Sequence, residues 1–203
     1  NNLDLEKILS CIRQRKTHNN IMRSGIGVGG YCLTKDPLFA KASSKQILHE
    51  KFDFPLSSKA VEVNQKMTFD VMSEIKNKFT KKIQGKKVLL IGVSYREDTN
   101  DTRYSPAEGV FDFFKKMRCE LNFYDPIVHY WEYLDSYSIE KKDLNNFDVY
   151  VYLIKHQSFK RLSIIYKKKS LILDLNHVLD KKKKLKISKN KNYKSYFIGS
   201  KQL

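Results

Sequence analysis

The stretch SGIGVGGYCLTKDP, residues 24–37, holds the side chains in this sequence best suited to covalent chemistry. Four of positions 25–30 are glycine, and Cys32 follows with Lys35 and Asp36 close behind. A cysteine flanked by cations, here Arg23 and Lys35, is expected to lose its proton more readily, and a thiolate attacks carbonyl carbons. Asp36 could orient a water molecule or accept a proton. The alternative is a structural turn that carries an inert cysteine, since lone cysteines usually only pack.

The spacing of the glycines excludes the common phosphate-binding loops. A dinucleotide-binding loop follows a strand directly and opens a helix, whereas CIRQRKTHNNIMRS, before these glycines, is polar and basic. Asp36-Pro37 disfavours a helix that continues through that point. A Walker loop needs glycine before its lysine and Ser or Thr after it, and Lys35 has neither. The glycines are instead typical of a backbone that turns sharply or approaches a ligand closely.

The chain before residue 84 is predicted to be helical. Apolar residues recur at helical spacing within residues 3–16, at Leu5, Ile8, Leu9 and Ile12. A second helix is expected over PLFAKASSKQILHEKF, residues 37–52, since proline suits a first helical turn. A longer helix is expected to start at a cap on Ser57 or Ser58 and to run to residue 83.

From Gly85 onward the pattern changes to that of an α/β domain. Four short apolar runs predict buried strands: KKVLLIGVSY, ELNFYDP, NFDVYVYLI and SLILDLN. SPAEGVFDFFKKMRC predicts a helix capped by Ser105 with Pro106 at its first position. Strands that alternate with helices predict a Rossmann-like, doubly wound parallel sheet. We therefore expect an α/β protein with a helical segment over residues 1–83, which includes the cysteine loop, and a sheet domain over 84–203.

The formal charge of +17 favours anionic partners, but the excess lies largely in lysine runs such as DKKKKLKISKNKNYK. Such runs are typical of solvated surface, and the interleaved aromatic, Arg and Gly residues of an RNA-binding module are missing. Nucleic acid is therefore not a predicted partner, although a basic nucleic-acid-binding protein stays as a weaker alternative. A salt-dependent DNA shift assay would separate the two.

Cysteine usage and hydropathy predict a reduced, cytoplasmic, soluble protein. The three cysteines are widely spaced with no CxxC, so neither a disulfide framework nor a metal site is expected. No apolar run approaches the roughly 20 residues of a membrane span. The sequence also starts without an initiator methionine or a signal-peptide layout, so we expect a piece of a longer protein that does not bind membranes.

GIGVGGYCLTKDP closely resembles the active-site cysteine motif of the UDP-glucose/GDP-mannose dehydrogenase family, the nucleotide-sugar dehydrogenases. GKKVLLIGVSYREDTNDTRYSPA resembles the start of that family's C-terminal domain, and weaker matches follow in family order, namely VNQKMTFDVM, FYDPIV, LIKHQSFKRL and LILDLNHVLD. The resemblance implies that residues 1–83 are the end of the central helical dimerisation region. It implies that residues 84–203 are the C-terminal UDP-sugar-binding domain. The family's N-terminal NAD domain has no counterpart here.

The family resemblance implies oxidation of a sugar C6 hydroxyl to a carboxylate with two NAD. Cys32 would attack the C6 aldehyde, and the thiohemiacetal would be oxidised to a thioester and then hydrolysed. Asp36 would assist the water or the proton transfers, and Lys35 would hold anionic groups near the cysteine. A homodimer through the helical region is implied as well. Without the NAD domain, we expect this chain alone not to turn over.

Binding roles are implied position by position. Gly29 and Gly30 would let the backbone approach the sugar, and Arg23 would contact a phosphate, with a solvated arginine as the alternative. Tyr95 and Arg96 stand where the family usually has Phe-Lys, a substrate-binding pair. Arginine in place of lysine keeps the charge but changes the donor geometry.

Arg103, in DTRYSP, matches the arginine that reaches the cofactor in this family. The alternative to this cofactor role is an ion pair with an aspartate of its own loop.

Several positions depart from the family pattern. Tyr31 replaces a small residue or histidine, and Asn176 and His177 stand where an Arg-Asn or Arg-Arg pair is expected. Together with Arg96, these departures leave a second hypothesis, a degenerate non-catalytic module that binds a nucleotide sugar or a partner protein.

Overall fold

A helical segment leads into a five-stranded parallel sheet in the computed structural model, which describes residues 3–21 and 23–200. The helices are α1 (Leu5–Ile12), α2 (Tyr31–Lys35), α3 (Phe39–Gln46), α4 (Pro55–Ile83), α5 (Pro106–Lys116) and α6 (Lys181–Lys189). The strands are β1 (Lys87–Ile91), β2 (Glu120–Tyr124), β3 (Tyr130–Trp131), β4 (Ser136–Tyr137), β5 (Val149–Tyr152), β6 (Leu171–Asp174) and β7 (Lys194–Phe197). Short 3-10 helices cover Lys16–His18, Asp36–Leu38, Lys141–Asp143 and Gln157–Arg161.

The helix starts follow local capping rules in part. Ser105 caps α5 as predicted, since its hydroxyl accepts a hydrogen bond from the Ala107 amide at 3.2 Å. The cap predicted for α4 is wrong. This helix begins at Pro55, before both serines, because proline's fixed φ suits a first helical position. The helix expected after Pro37 is shorter than its apolar pattern suggested and ends at Gln46.

The sheet order is β2-β1-β5-β6-β7, with all neighbouring strands parallel. This confirms the predicted doubly wound α/β fold. The order reverses between β1 and β5, and in open sheets of this kind ligands bind outside the carboxyl ends of the strands at that reversal. β7 and the β3–β4 hairpin were not predicted. The division of roles at residues 83 and 84 stays a prediction, although this boundary falls between α4 and β1.

Two apolar cores lie on opposite faces of the sheet. Strand residues alternate between them, so Val151 faces the core shared with α4 and α5 and Tyr152 faces the other. The second core is covered by α6, by the 3-10 helix Gln157–Arg161 and by loops. Within the described ranges, no helix combines the length and apolar character that crossing a membrane requires.

Candidate active site

The cysteine loop runs along the carboxyl edge of the parallel sheet. At its start, the Ser24 hydroxyl lies 3.2 Å from Nε2 of His177, which follows β6. At its end, the Gly30 amide donates to the carbonyl of Arg103, beyond β1, at 3.2 Å. Since β5 lies between β1 and β6, the loop extends across the region where the strand order reverses. Ile26, in the middle of the loop, is buried in the same core as α4 and α5.

Two glycines allow the loop to pack directly on the segment after β1. A Cβ on Gly29 would lie 2.7 Å from the Tyr104 carbonyl oxygen, and one on Gly30 would lie 2.7 Å from the Tyr95 ring. Gly30 also has a φ of +88°, in the region that favours glycine. These close neighbours belong to the chain itself, so the sugar contact implied for Gly29 and Gly30 stays a prediction.

Helix α4 holds the loop backbone from the other side. The Asn64 amide side chain makes two hydrogen bonds to Val28, accepting from its N–H at 2.7 Å and donating to its carbonyl at 2.8 Å. The Thr68 hydroxyl donates to the Ile26 carbonyl at 2.7 Å. Residues four apart share one face of a helix, so both side chains reach the same stretch of loop. Sequence reasoning assigned neither residue a role, although VNQKMTFDVM contains both.

Cys32 lies exposed in α2, and the predicted partners Lys35 and Asp36 follow it immediately. The Lys35 ammonium is 2.7 Å from an Asp36 carboxylate oxygen, and this hydrogen bond raises the pKa of Lys35. The ammonium also lies 4.1 Å from the centre of the Tyr31 ring and 4.3 Å from that of Phe39. Lys35 is thus held by a carboxylate and two aromatic rings beside the cysteine.

Arg23 forms an ion pair with Glu6 of α1, so both cations expected beside Cys32 have carboxylate partners. The other Glu6 oxygen lies 3.4 Å from Nε2 of buried His177. Burial, together with the nearby Lys184 ammonium, lowers the pKa of His177. Lys184 in turn lies 3.2 Å from buried Asp174. Lys184, a cation that the sequence analysis did not identify, therefore lies near the position where the family pattern has a cation and this sequence has none.

The loop after β1 carries the other predicted binding residues. The Arg103 guanidinium bonds Asp101 in a bidentate manner, Nε–Oδ1 at 3.0 Å and Nη2–Oδ2 at 2.7 Å, and lies 5.3 Å from the centre of the Tyr31 ring. These hydrogen bonds lower the pKa of Asp101. The alternative ion pair is therefore formed, and the cofactor role stays a prediction. Tyr95 packs on the glycine loop, and the exposed Arg96 side chain has no hydrogen-bond or ion-pair partner within residues 3–21 and 23–200.

A buried histidine ties three strand ends together beneath this loop. His156 Nε2 lies 3.1 Å from Asp125 Oδ2 and 3.4 Å from the Ser94 hydroxyl, while its Nδ1 accepts from the Asp98 amide at 3.1 Å. The proton therefore sits on Nε2. Burial raises the pKa of Asp125, but hydrogen bonds from His156 and from backbone amides such as that of Val128 outweigh it, so this pKa lies below its ordinary value. The network positions the loop that carries Tyr95 and Arg96.

Fold and site thus define a class of protein: a parallel α/β sheet with a glycine-rich loop and its cysteine at the carboxyl ends of the strands. Models of the two relevant domains of one family match this sequence. The UDP-glucose/GDP-mannose dehydrogenase family's central domain matches residues 1–66, and its UDP binding domain matches residues 89–181. Together they cover well over half of the chain. The chain belongs to the UDP-glucose/GDP-mannose dehydrogenase family, which confirms the resemblance.

Relatives in this family are UDP-sugar dehydrogenases. UDP-N-acetyl-D-mannosamine dehydrogenase of Methanococcus vannielii is 34% identical over 183 residues, covering 83% of this chain and 40% of the relative. The enzyme of that name from Methanococcus aeolicus is 30% identical over 164 residues, covering 80% and 34%. NDP-N-acetyl-D-galactosaminuronic acid dehydrogenase from Methanosarcina mazei has the same fold, with a TM-score of 0.78 at 22% identity, covering 99% of this chain and 45% of that one. The chain spans less than half the length of these relatives.

Proposed function

We propose that this chain supplies the cysteine loop and the UDP-sugar half of the active site in an NAD-dependent nucleotide-sugar 6-dehydrogenase. The observation that carries the proposal is the placement of Cys32. It is exposed on α2, directly after the loop that α4 and the segment after β1 hold at the carboxyl edge of the sheet, where the strand order reverses. Folds of this class bind nucleotides at that edge.

In the proposed reaction, the sugar C6 alcohol first loses a hydride and a proton to become an aldehyde. The Cys32 thiolate then adds to the aldehyde carbon, a C–S bond forms, and the oxygen takes up a proton. Loss of a second hydride and that proton leaves a thioester. Water adds to the thioester carbon and expels the thiolate, which yields the carboxylate. NAD, when bound, accepts the hydride in each oxidation.

Residues of this chain would position the substrate and the water that attacks the thioester. Asp36, which is partly exposed and held by Lys35, would position the hydrolytic water. Arg96, with Tyr95 beside it, would contact the substrate diphosphate, and Arg23 would approach it after exchanging its bond to Glu6.

One residue of this chain, Arg103, is suited to contact the NAD cofactor. The Arg103 guanidinium is 65% exposed and lies over the Tyr31 ring, next to Cys32 in the sequence. Its Nη1 makes no hydrogen bond within the part of the chain that the structure describes, so it can meet an anionic group. The remaining cofactor contacts would come from an NAD domain outside these 203 residues.

We also propose that two copies associate through the helical segment. Support comes from an open apolar groove of about 520 Å³ between the cysteine loop and α4, lined by Val28, Leu33, Pro37, Leu56, Lys59, Ala60, Val61, Val63, Asn64 and Met67. Five large apolar residues of this lining are exposed, and a contiguous exposed apolar patch is typical of a protein–protein interface: Val28, Leu33, Leu56, Val63 and Met67.

The test fuses the NAD-binding part of the Methanococcus vannielii relative to the start of this chain. We expect the fusion to produce NADH and a uronate from a UDP-sugar. The Cys32→Ser variant should lose the carboxylate product, and the matched Cys11→Ser variant should keep it, because Cys11 lies on α1. Equal carboxylate formation by both variants would contradict the role of Cys32.

The second candidate is a module that binds a nucleotide sugar without catalysis. It is favoured by buried His177, with Asn176 before it, at the position where the family pattern has a substrate cation. A fusion that binds UDP in calorimetry but never reduces NAD would support this second candidate over the dehydrogenase proposal. NAD reduction by the 203-residue chain alone would contradict both the proposal that an additional NAD domain is needed and this second candidate.

A further inference from the structure

A cavity of about 500 Å³ lies on the sheet face opposite α4 and α5, between the segment 159–166 and α6. It exists because the crossover from β5 to β6 contains only the 3-10 helix Gln157–Arg161 followed by irregular chain. A full crossover helix would cover this face of the sheet. The volume falls within the roughly 300–1,000 Å³ typical of small-molecule sites.

The floor of the cavity is aromatic and its polar groups are paired. The Tyr152 hydroxyl, from β5, lies 2.6 Å from that of Tyr166, and Tyr193 stands on the other side of Tyr166 with a ring-centre distance of 5.6 Å. Burial raises the pKa of Tyr166 to about 12, so its hydroxyl, which is neutral at physiological pH in any case, stays neutral well above it. Phe159 and Ile187 extend the apolar lining. The floor therefore offers an aromatic, uncharged surface to a ligand.

The rim is cationic. Lys160, Arg161, Lys183 and Lys186 line the cavity, and the lining contains no Asp or Glu. Lys183 donates to the Leu162 carbonyl at 3.2 Å. The other three side chains have no hydrogen-bond or ion-pair partner within residues 3–21 and 23–200. Their charges are thus available to an anion that enters from solvent.

We propose that this cavity binds a small organic anion, whose flat apolar body packs on the tyrosines while its carboxylate, sulfonate or phosphate meets the lysine–arginine rim. The site is separate from the cysteine loop, since its lining includes no residue from that loop or from the segment after β1. It does not rest on the proposed dehydrogenase function. Cationic ligands are disfavoured because the rim repels them.

The test uses the intact chain with 8-anilinonaphthalene-1-sulfonate as a fluorescent probe and 1-naphthalenemethanol as a neutral competitor. We expect saturable sulfonate binding that 1-naphthoate competes with more strongly than the alcohol does. The Lys160→Gln/Lys186→Gln variant should bind the sulfonate about 2- to 30-fold more weakly, as expected for two partly solvated charge contacts. The matched control, Lys181→Gln/Lys182→Gln, removes the same charge from exposed positions of α6 outside the cavity.

Equal weakening by the two variants would overturn the site, because net charge alone would then explain the binding. Absence of saturable binding would overturn it as well. Adenosine monophosphate separates the sources of the anion. Displacement of the sulfonate by this nucleotide supports a phosphate ligand in this cavity, and displacement by naphthoate alone supports a carboxylate or sulfonate. If UDP displaced the probe equally from the parent chain and from the Lys160→Gln/Lys186→Gln variant, the probe would sit elsewhere and the claim of a separate site would fall.

Discussion

Replacing Gly29 by alanine tests whether the cysteine loop is fixed against the segment after β1. The added Cβ would lie 2.7 Å from the Tyr104 carbonyl oxygen, 2.9 Å from Pro106 Cδ and 2.9 Å from Tyr95 Cβ. These are backbone, ring and Cβ atoms, so none of them can rotate away and a piece of backbone must shift. Overpacking of this kind costs about 1–3 kcal/mol.

Part of this cost is offset because alanine reduces the entropy of the unfolded chain by about 0.4–1 kcal/mol. We therefore expect Gly29→Ala to lower the free energy of unfolding by about 1–2 kcal/mol and the melting temperature by about 2–8 °C. Urea titration and thermal melting followed by circular dichroism measure both quantities. The rate of Cys32 labelling by a thiol reagent should change too, since the loop that carries it must move.

Gly25→Ala is the matched control from the same loop. Its Cβ would clash with the side-chain oxygen of Asn176, but that atom ends a side chain that can rotate away. We expect a change in the free energy of unfolding within about 0.5 kcal/mol. If Gly29→Ala were as stable as the parent, or if Gly25→Ala lost as much, the loop would not be fixed by the contacts described.

Three further outcomes follow from the contacts described. Asn64→Ala should lower the free energy of unfolding in a urea titration by about 1–3 kcal/mol, since it removes two hydrogen bonds to Val28, and Asn64→Asp should not recover this loss, because it sets a carboxylate oxygen against the Val28 carbonyl. Cys119 should react with Ellman's reagent more slowly than the two exposed cysteines, because burial raises the pKa of its thiol; a single rate for all three would contradict this. Since the pKa of Tyr166 is raised from 10.0 to about 12, its contribution to stability is full below pH 10 and is lost as the pH rises toward 12. The free energy of unfolding should therefore fall as the pH rises through this range. In urea titrations, Tyr166→Phe should make this fall less steep by up to about 1.4 kcal/mol per pH unit, whereas Tyr137→Phe, at an exposed position, should leave it unchanged.

The parts of the fold that sequence reasoning found are those with a strong local signal. β1 and β5 are continuous apolar runs because both faces of the sheet are covered, and their burial is complete or nearly so. β7 was missed because it is an edge strand, KSYF, in which only Tyr196 is buried. The cap of α4 was misplaced because serine is a common cap, whereas Pro55 decided where this helix starts.

Sequence reasoning predicted only those parts of the candidate site whose residues lie close together in the sequence. The glycines, Cys32 and the ion pair of Lys35 with Asp36 belong to one short stretch. The support for that stretch is tertiary. Asn64 lies 36 residues beyond Val28, and no local sequence pattern indicates that the two residues are in contact. For the same reason, the sequence predicts Arg23 as a cation beside the cysteine, whereas in the structure it pairs with Glu6 of α1.

The contacts of the glycine loop bear on how proteins of this family can be recombined. The loop lies before residue 84 in the chain, yet it packs on Tyr95, Tyr104 and His177 and hydrogen-bonds Arg103 from the other side of that position. A chimaera joined at residue 84 would set one protein's loop against another protein's sheet edge, with mismatched side chains at each contact. A crossover before residue 24 keeps the loop, α4 and the sheet from one parent. The cysteine loop and the sheet edge that it packs on must therefore come from the same parent.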